Sequence, residues 1–506
     1  MHHSTQITPA IGLSPENFAY NRALCLPLSP ARVIKMLPIQ LFNVFLLFSL
    51  KLAAAEDKYQ KLNLTRINDE YYGVDVEVGS DEQEIKKVVL DTGSSDFWIL
   101  DKSFCNSPTS EAQENKNGQS NEESCEIYGS FDSENSDTFQ ATGQVFNLTY
   151  GDTSAESTGS SGVQGIDQLR VGDIHIDELY FGLATNATGL PPVLGIGQIG
   201  QEGSNSFYPN FPYQMKKEGL IDVVAYSLSL GKSKGELLFG AMDHSKYNGT
   251  LLKTPILQVG VPGTQVLLTG VALRNGSSSI FDKTDNKGFI YFDSGTTVST
   301  LPSEHFDDLF KHHGWEYDTD NEQYTINCDS EGEKSIRDLT LEYTIAGDIV
   351  IKVPFEDIIM NNEDDGKCLS AVLVSDQTSY SLSDDTAYFV AGDEVLRNAY
   401  VVYNLETQEL AIAPAVDNPE DTEEDIEIIS EDFDIPEAKD YSVSLDYRNT
   451  TLPATTDYLP SSTSSGSVSE ETGSTSQNST SEGIAASSMK PLTLWSFIVF
   501  FCQFLI

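Results

Sequence analysis

The chain has 506 residues, of which 39% are hydrophobic, so it is long enough to bury the cores of more than one domain. Its formal net charge of −47 and pI of about 4.2 exclude binding to nucleic acids or anionic membranes through a basic face. The charge instead suits a protein that works in acidic surroundings, where protonation of carboxylates weakens their mutual repulsion.

The N-terminal region carries the pattern of a secretion signal. Residues 41–50 form a short apolar run that follows basic residues and is followed by three alanines. This pattern predicts a signal peptide over residues 36–55. If Met36 is the true start, residues 1–35 are a leader or an over-extended start. Residues 56–70 are expected to be a short N-terminal segment without an evident propeptide.

Residues 88–95 contain the first motif that points to chemistry. An apolar strand runs directly into Asp91, a hydroxyl residue and glycine, and two more hydroxyl residues follow. The glycine allows a tight turn or a close approach of the backbone to another group. The motif therefore places a carboxylate at the end of a strand.

The next informative segment is residues 146–154, which alternate apolar and polar side chains and then turn. This alternation predicts a strand that leads into a turn at Tyr150, Gly151 and Asp152.

A second copy of the Asp motif occurs in residues 290–297, where an apolar strand ends in Asp293, Ser and Gly. Each copy is followed, roughly 100 residues later, by two apolar residues and a glycine, at 193–195 and at 390–392. Matched order and spacing predict two related lobes that bring Asp91 and Asp293 together. Two carboxylates in one site cannot both ionise freely, so the arrangement indicates catalysis.

The cysteines and glycosylation motifs agree with secretion. Two of the six cysteines, Cys25 and Cys502, lie in the terminal segments. The other four are Cys105, Cys125, Cys328 and Cys368. They allow three connectivities, of which pairing within each lobe is the simplest. N-glycosylation sequons occur at Asn63, Asn147, Asn186, Asn248, Asn275, Asn449 and Asn478.

The C-terminal region predicts a tether. Residues 417–490 are acidic at first and then rich in Ser and Thr, so they cannot bury enough apolar surface to fold and are expected to form an O-glycosylated stalk. Residues 491–506 are apolar, uncharged and short for a membrane span. With the small residues and polar spacer before them, they predict a GPI-anchor signal with attachment at Asn478 or Gly483. A simple tail anchor is the alternative.

Taken together, the motifs resemble the pepsin-like (family A1) aspartic proteases, and among them the GPI-anchored fungal yapsins. The resemblance covers roughly residues 71–414 and rests on four segments. These are residues 91–98, 150–152, 293–297 and 392–400. It implies an all-β, bilobal fold with pseudo-two-fold related lobes, residues 71–250 and 251–416, and an active site between them. It also supports disulfide pairing within each lobe.

By this resemblance, Asp91 and Asp293 are a catalytic dyad that shares one proton. The ionised carboxylate takes a proton from water and the neutral one donates to the substrate carbonyl, so neither a metal nor a cofactor is expected. The expected supporting residues are Thr92, Gly93, Ser94, Ser294, Gly295 and Thr296. Hydroxyls three residues after each aspartate donate to the carboxylates, and the hydroxyls directly after each aspartate form hydrogen bonds between the lobes.

The resemblance also implies a flap and a substrate preference. Tyr150 would be the flap tyrosine, with Trp98 as its hydrogen-bond partner. Asp152 would meet the side chain on the N-terminal side of the scissile bond and favour Lys or Arg there. Its alternative reading is a solvated turn residue. The loop 106–124 resembles one that is cleaved in yapsins, which would leave two disulfide-linked chains.

The sequence thus predicts a secreted, cell-surface aspartic endopeptidase that acts, as a monomer, on basic sites in cell-wall or secreted proteins. The alternative is a non-catalytic cell-wall or adhesion protein that keeps the protease fold. The presence of both aspartates, the flap tyrosine and the supporting hydroxyls favours the enzyme.

Overall fold

In the computed structural model, the described part of the chain consists mainly of β-strands joined by turns and a few short helices. The structure describes residues 58–107, 120–150, 158–188, 191–200, 202–203, 207–257, 263–283, 288–302, 310–311, 314–318, 323–328, 330–361, 366–375, 387–432 and 434–441. Several predictions lie outside these residues. They concern the signal peptide, most of the loop 106–124, Gly151, Asp152, the stalk beyond residue 441, Asn449, and the anchor with Asn478 and Gly483.

The first half of the described chain forms an N-terminal lobe. Its strands are β1 (Gln60–Ile67), β2 (Tyr71–Val78), β3 (Gln83–Asp91), β4 (Phe97–Leu100), β5 (Gln140–Tyr150), β6 (Thr158–Val171), β7 (Ile174–Thr188), β8 (Val193–Gly195), β9 (Ala225–Leu230), β10 (Lys234–Phe239) and β11 (Ala241–Asp243). Its helices are α1 (Lys102–Cys105), α2 (Asn121–Tyr128) and α3 (Phe211–Lys217). Helix α2 begins where the Ser120 and Glu123 side chains cap each other's backbone N–H groups.

The second half forms a C-terminal lobe. Its strands are β12 (Leu252–Pro255), β13 (Gln265–Asn275), β14 (Ser278–Lys283), β15 (Gly288–Phe292), β16 (Ser299–Pro302), β17 (Glu316–Asp318), β18 (Gln323–Asn327), β19 (Leu339–Ile345), β20 (Ile349–Pro354), β21 (Ile359–Asn361), β22 (Lys367–Ser370), β23 (Val372–Ser375), β24 (Ala387–Ala391), β25 (Ala399–Asn404) and β26 (Glu409–Pro414). Its helices are α4 (Glu331–Ile336) and α5 (Asp393–Leu396). Alternate side chains of β19 are buried, as expected for a strand with one face on the core.

The two lobes repeat one strand arrangement. In the N-terminal lobe β3 pairs in parallel with β8, β4 pairs in parallel with β7, and β4 is antiparallel to β8. In the C-terminal lobe β15 and β24, β16 and β23, and β16 and β24 pair in the same three ways. The predicted all-β fold of two related lobes is therefore confirmed. Each Asp motif stands at the end of the first strand of this unit.

One sheet contains strands from both lobes. Its antiparallel order β1, β10, β9, β25, β26, β12 crosses from one lobe to the other where β9 pairs with β25. Every residue of these two central strands is buried. Strand β1 lies in the region predicted as a short N-terminal segment, but Leu62 and Leu64 alternate with polar residues and pack into the core. Because of this alternation, β1 packs as a strand of the N-terminal lobe.

Residues 417–432 and 434–441, which the sequence places in the stalk, lie folded against both lobes and are here called the acidic strap. Strand β27 (Ile426–Ile428) pairs with β11, and β28 (Lys439–Asp440) pairs in parallel with β12. The strap buries Ile429 and Ile435, with exposures of 0% and 1%. Acidic composition alone predicted an unfolded segment, whereas these two apolar side chains have a place to pack.

Lysine side chains of the two lobes neutralise part of the strap's charge, and a histidine side chain contacts it. Lys61 Nζ lies 2.6 Å from Glu424, Lys253 Nζ lies 2.9 Å from Asp434, and His244 Nε2 lies 2.7 Å from Glu427. Because these pairs are partly exposed, each contributes little to stability, and the buried isoleucines dominate.

The described residues include two disulfides and five exposed sequon asparagines. Cys105 is bonded to Cys125, and Cys328 is bonded to Cys368, so each pair lies within one lobe. The described sequon asparagines, all of which are exposed, are Asn63, Asn147, Asn186, Asn248 and Asn275.

We predict that Ile429→Ala lowers the free energy of unfolding by about 3 kcal/mol, because it removes a fully buried side chain and leaves a cavity. Urea denaturation measures the change. Glu423, an exposed residue of the same strap, provides the control, and Glu423→Ala should change stability by less than about 0.5 kcal/mol. Equal stability of the wild type and Ile429→Ala would contradict the packed strap.

Candidate active site

The two Asp motifs meet at the boundary between the lobes. Strand β3 ends at Asp91, and β15 ends at Phe292, directly before Asp293. Both aspartates are buried, with exposures of 3% and 0%, and their carboxyl groups are hydrogen-bonded to each other. The fold thus brings together the two carboxylates that the sequence repeat predicts.

Reciprocal hydrogen bonds fasten the two turns under the carboxyl groups. The Thr92 N–H donates to Ser294 Oγ at 3.1 Å, and the Ser294 N–H donates to Thr92 Oγ1 at 3.0 Å. The same hydroxyls donate across the boundary, from Thr92 Oγ1 to the Phe292 carbonyl at 3.1 Å and from Ser294 Oγ to the Leu90 carbonyl at 2.8 Å. Each hydroxyl therefore both accepts and donates, which fixes the relative position of the turns.

The two glycines of the motifs are required by the close approach of the carboxyl groups. A Cβ at Gly93 would lie 2.6 Å from Asp293 Oδ2, and a Cβ at Gly295 would lie 2.6 Å from Asp91 Cγ. Both distances are far inside van der Waals contact. Any residue larger than glycine at position 93 or 295 would push the opposite carboxyl group away.

Each carboxyl group also receives two donors from its own turn. The Gly93 N–H donates to Asp91 Oδ1 at 2.7 Å, and the Ser94 hydroxyl donates to Asp91 Oδ2. The Gly295 N–H donates to Asp293 Oδ1 at 2.8 Å, and Thr296 Oγ1 donates to Oδ2 at 2.7 Å. These donors favour the ionised form of a carboxyl group.

Burial acts in the opposite direction and raises the pKa of both aspartates above the ordinary value. The negative charge of Asp91 raises the pKa of Asp293 further. The pair therefore retains one proton over a range of pH in which isolated aspartates are ionised. A site with one carboxylate and one carboxylic acid side by side can act as base and acid in a single step.

Tyr150 is connected to the carboxyl pair through Ser94. Trp98 Nε1 donates to the Tyr150 hydroxyl at 2.7 Å, and that hydroxyl is also a hydrogen-bond partner of Ser94. Both aromatic side chains are almost fully buried, in a cluster with Phe146. The structure thus pairs Trp98 with Tyr150, as the resemblance implies. Asn147 is exposed between buried neighbours, so a glycan there would extend away from this cluster.

The structure adds contacts that sequence reasoning missed. The Tyr291 hydroxyl donates to the Gly93 carbonyl at 2.7 Å and so makes a further bond between the lobes. Asp96 is buried and accepts hydrogen bonds from the Gly203 N–H and from the Tyr208 hydroxyl. Both Tyr291 and Asp96 lie within the two Asp motifs, but their partners are distant in sequence, and no local signal identified those contacts.

Within the described residues, no group of three or more His, Cys, Asp or Glu side chains could hold a metal ion.

Comparisons with known proteins agree with this geometry. The sequence profile described as "Eukaryotic aspartyl protease" matches residues 70–415. The chain is 30% identical to "Secreted aspartic protease 10" of Candida albicans, over 76% of this chain and 82% of that protein. It is 29% identical to "Aspartic proteinase 3" of Saccharomyces cerevisiae, over 75% of each. It is 31% identical to "Aspartic proteinase yapsin-3" of the same yeast, over 68% of this chain and 66% of that protein.

Proposed function

Because the chain belongs to the eukaryotic aspartyl protease family, we propose that Asp91 and Asp293 are the catalytic pair with which it hydrolyses peptide bonds. Membership makes the chain a pepsin-like aspartic endopeptidase. The observation that carries the residue assignment is the hydrogen-bonded contact of two buried carboxyl groups, each with donors from its own turn.

The proposed reaction uses water as the nucleophile. The ionised carboxylate removes a proton from a water molecule, whose oxygen attacks the carbonyl carbon of the scissile peptide bond. The neutral carboxyl group donates its proton to the carbonyl oxygen, which yields a neutral tetrahedral diol. The pair then gives its proton to the amide nitrogen, one diol hydroxyl returns a proton to the pair as the carboxylic acid forms and the C–N bond breaks, and the pair again holds one proton. No covalent enzyme intermediate forms.

We predict that Asp91→Asn lowers kcat by about 10³-fold or more, because the pair can no longer combine one carboxylate with one carboxylic acid. Cleavage of a peptide library at acidic pH, with and without pepstatin, measures the effect. Asp173→Asn alters an exposed acid of the same lobe and should leave kcat unchanged. If the wild-type protein shows no pepstatin-sensitive cleavage, the non-catalytic cell-wall or adhesion protein becomes the better explanation.

A preference for basic residues is the finer part of the proposal. Strand β5 ends at Tyr150, so Asp152 follows the buried tyrosine by two positions, although it lies outside the described residues. A carboxylate at this point attracts Lys or Arg on the N-terminal side of the scissile bond. The proposed substrates are therefore cell-wall or secreted proteins with basic sites.

We predict that Asp152→Ala lowers kcat/KM about tenfold for peptides with Lys or Arg before the scissile bond, since one charge-assisted contact is lost. The matched measurement uses peptides with Leu at that position, for which kcat/KM should change little. Asp173→Ala is the control for a general loss of negative charge. An equal loss on basic and apolar peptides would refute the preference.

The proposed location is the cell surface, on a GPI anchor attached at Asn478 or Gly483. One relative is named as a secreted protease, and others carry yapsin or proteinase names. Among the residues that the structure describes, no helix combines the length and the apolar character needed to cross a bilayer. The protein would act as a monomer, or as two chains held by the Cys105–Cys125 bond after cleavage of the loop 106–124.

We predict that phosphatidylinositol-specific phospholipase C releases the active protein from membranes of cells that express it. Immunoblots of membrane and soluble fractions provide the measurement. A variant that lacks residues 491–506 should appear in the medium without enzyme treatment, because it lacks the signal for attachment. Retention of the full-length protein on phospholipase-treated membranes would favour the simple tail anchor.

A further inference from the structure

We propose that Asp96 is a positioning residue that holds strand β5, which leads to Tyr150, against the catalytic turn, and that this link weakens as Asp96 ionises. The consequence for catalysis rests on the endopeptidase function proposed above. The structural link itself can be tested without any activity.

The link passes through one glycine. Asp96 lies five residues after Asp91 and is 2% exposed. Its Oδ2 accepts a hydrogen bond from the Gly203 N–H at 2.7 Å. The Gly203 carbonyl in turn accepts a hydrogen bond from the Asn147 N–H of β5 at 3.1 Å. The peptide groups on both sides of Gly203 thus connect the catalytic turn with the strand that carries Tyr150.

Packing leaves this connection little freedom. A Cβ at Gly203 would lie 2.9 Å from Leu148 Cγ, so the glycine sits directly against β5. Leu148 belongs to the same buried cluster as Tyr150. The second oxygen of Asp96 accepts a hydrogen bond from the Tyr208 hydroxyl, and the Tyr208 ring stacks on Tyr180 with a centroid distance of 5.3 Å. Both oxygens of the carboxyl group are therefore held in place.

The surroundings of Asp96 disfavour its negative charge. Burial raises its pKa to about 6, although the donors from Tyr208 and Gly203 act in the opposite direction. Glu202, which is itself largely buried and has a pKa raised to about 8, adds a second acid next to it. Tyr150 also interacts with Asp96 electrostatically. None of these groups is a cation.

Linkage gives the direction of the pH effect. When the link opens and water reaches Asp96, its pKa returns to about 4, so the opened form ionises at a lower pH than the closed form. The closed link is therefore most stable below about pH 4 and loses stability as pH rises towards about 6. A difference of about two pKa units corresponds to about a hundredfold rise in the opening equilibrium.

Hydrogen exchange at the Asn147 amide measures this opening directly, because that amide donates to Gly203. Protection is compared between about pH 4 and pH 7 after correction for intrinsic exchange. In the wild type, protection should fall at least tenfold over this range. With Glu202→Gln in both proteins, so that this second buried acid adds no pH dependence, protection in Asp96→Asn, which keeps the shape but cannot ionise, should stay constant. Asp167→Asn alters a buried acid of the same lobe, bonded to Ser136 and Thr138, and should retain the wild-type dependence.

Tyr208→Phe tests the same link from the other side. Loss of the hydroxyl donor should raise the pKa of Asp96, so the fall in protection should extend to higher pH than in the wild type. In parallel, kcat/KM of Asp96→Asn should decline less than that of the wild type between about pH 5 and pH 7. The same pH dependence of Asn147 protection in the wild type and Asp96→Asn would overturn the proposal. If hydrogen exchange follows the prediction but no cleavage occurs, the link is supported and only the proposed endopeptidase function is refuted.

Discussion

The structure depends on holding two buried carboxyl groups in contact. Burial opposes this arrangement and raises the pKa of both aspartates, and the negative charge of Asp91 raises the pKa of Asp293 further. A shared proton relieves the repulsion, and donors from each turn stabilise the remaining charge. The same tension that makes the pair costly to assemble makes it suited to acid–base chemistry, since one member is a base while the other is an acid.

Several layers of structure resist the separation of the pair. The hydroxyls of Thr92 and Ser294 bond the two turns to each other, and the glycines leave room for the carboxyl groups to touch. Beneath the turns, β9 and β25 join the lobes in one buried sheet. The acidic strap then pairs with a strand of each lobe, β11 and β12. Because every layer spans the boundary between the lobes, contacts throughout both lobes fix the position of the carboxyl groups.

Local pattern predicted the parts of the site that are repeated. Two strands that each end in Asp, a hydroxyl residue and Gly indicated two lobes, and the later glycine signals supported the repeat. In the structure those signals lie in or directly after β8 and β24, the parallel partners of the motif strands. The contacts of Asp96 could not be predicted in this way, because Gly203 and Tyr208 are more than a hundred residues away in loops without periodicity. The strap was misread for a related reason. Its composition is acidic, but its two isoleucines meet apolar partners from both lobes.

The sequence by itself determined the chemical groups, the repeat and the strands that lead into the Asp motifs, because strand periodicity and turn residues act over short distances in the chain. The tertiary structure alone decided what those groups experience. It brought Asp91 and Asp293 into hydrogen-bonding contact, buried Asp96 beside the strand of Tyr150, and folded the acidic strap onto the two lobes. Burial and the partners of a carboxyl group depend on residues far apart in sequence, and these determine its pKa.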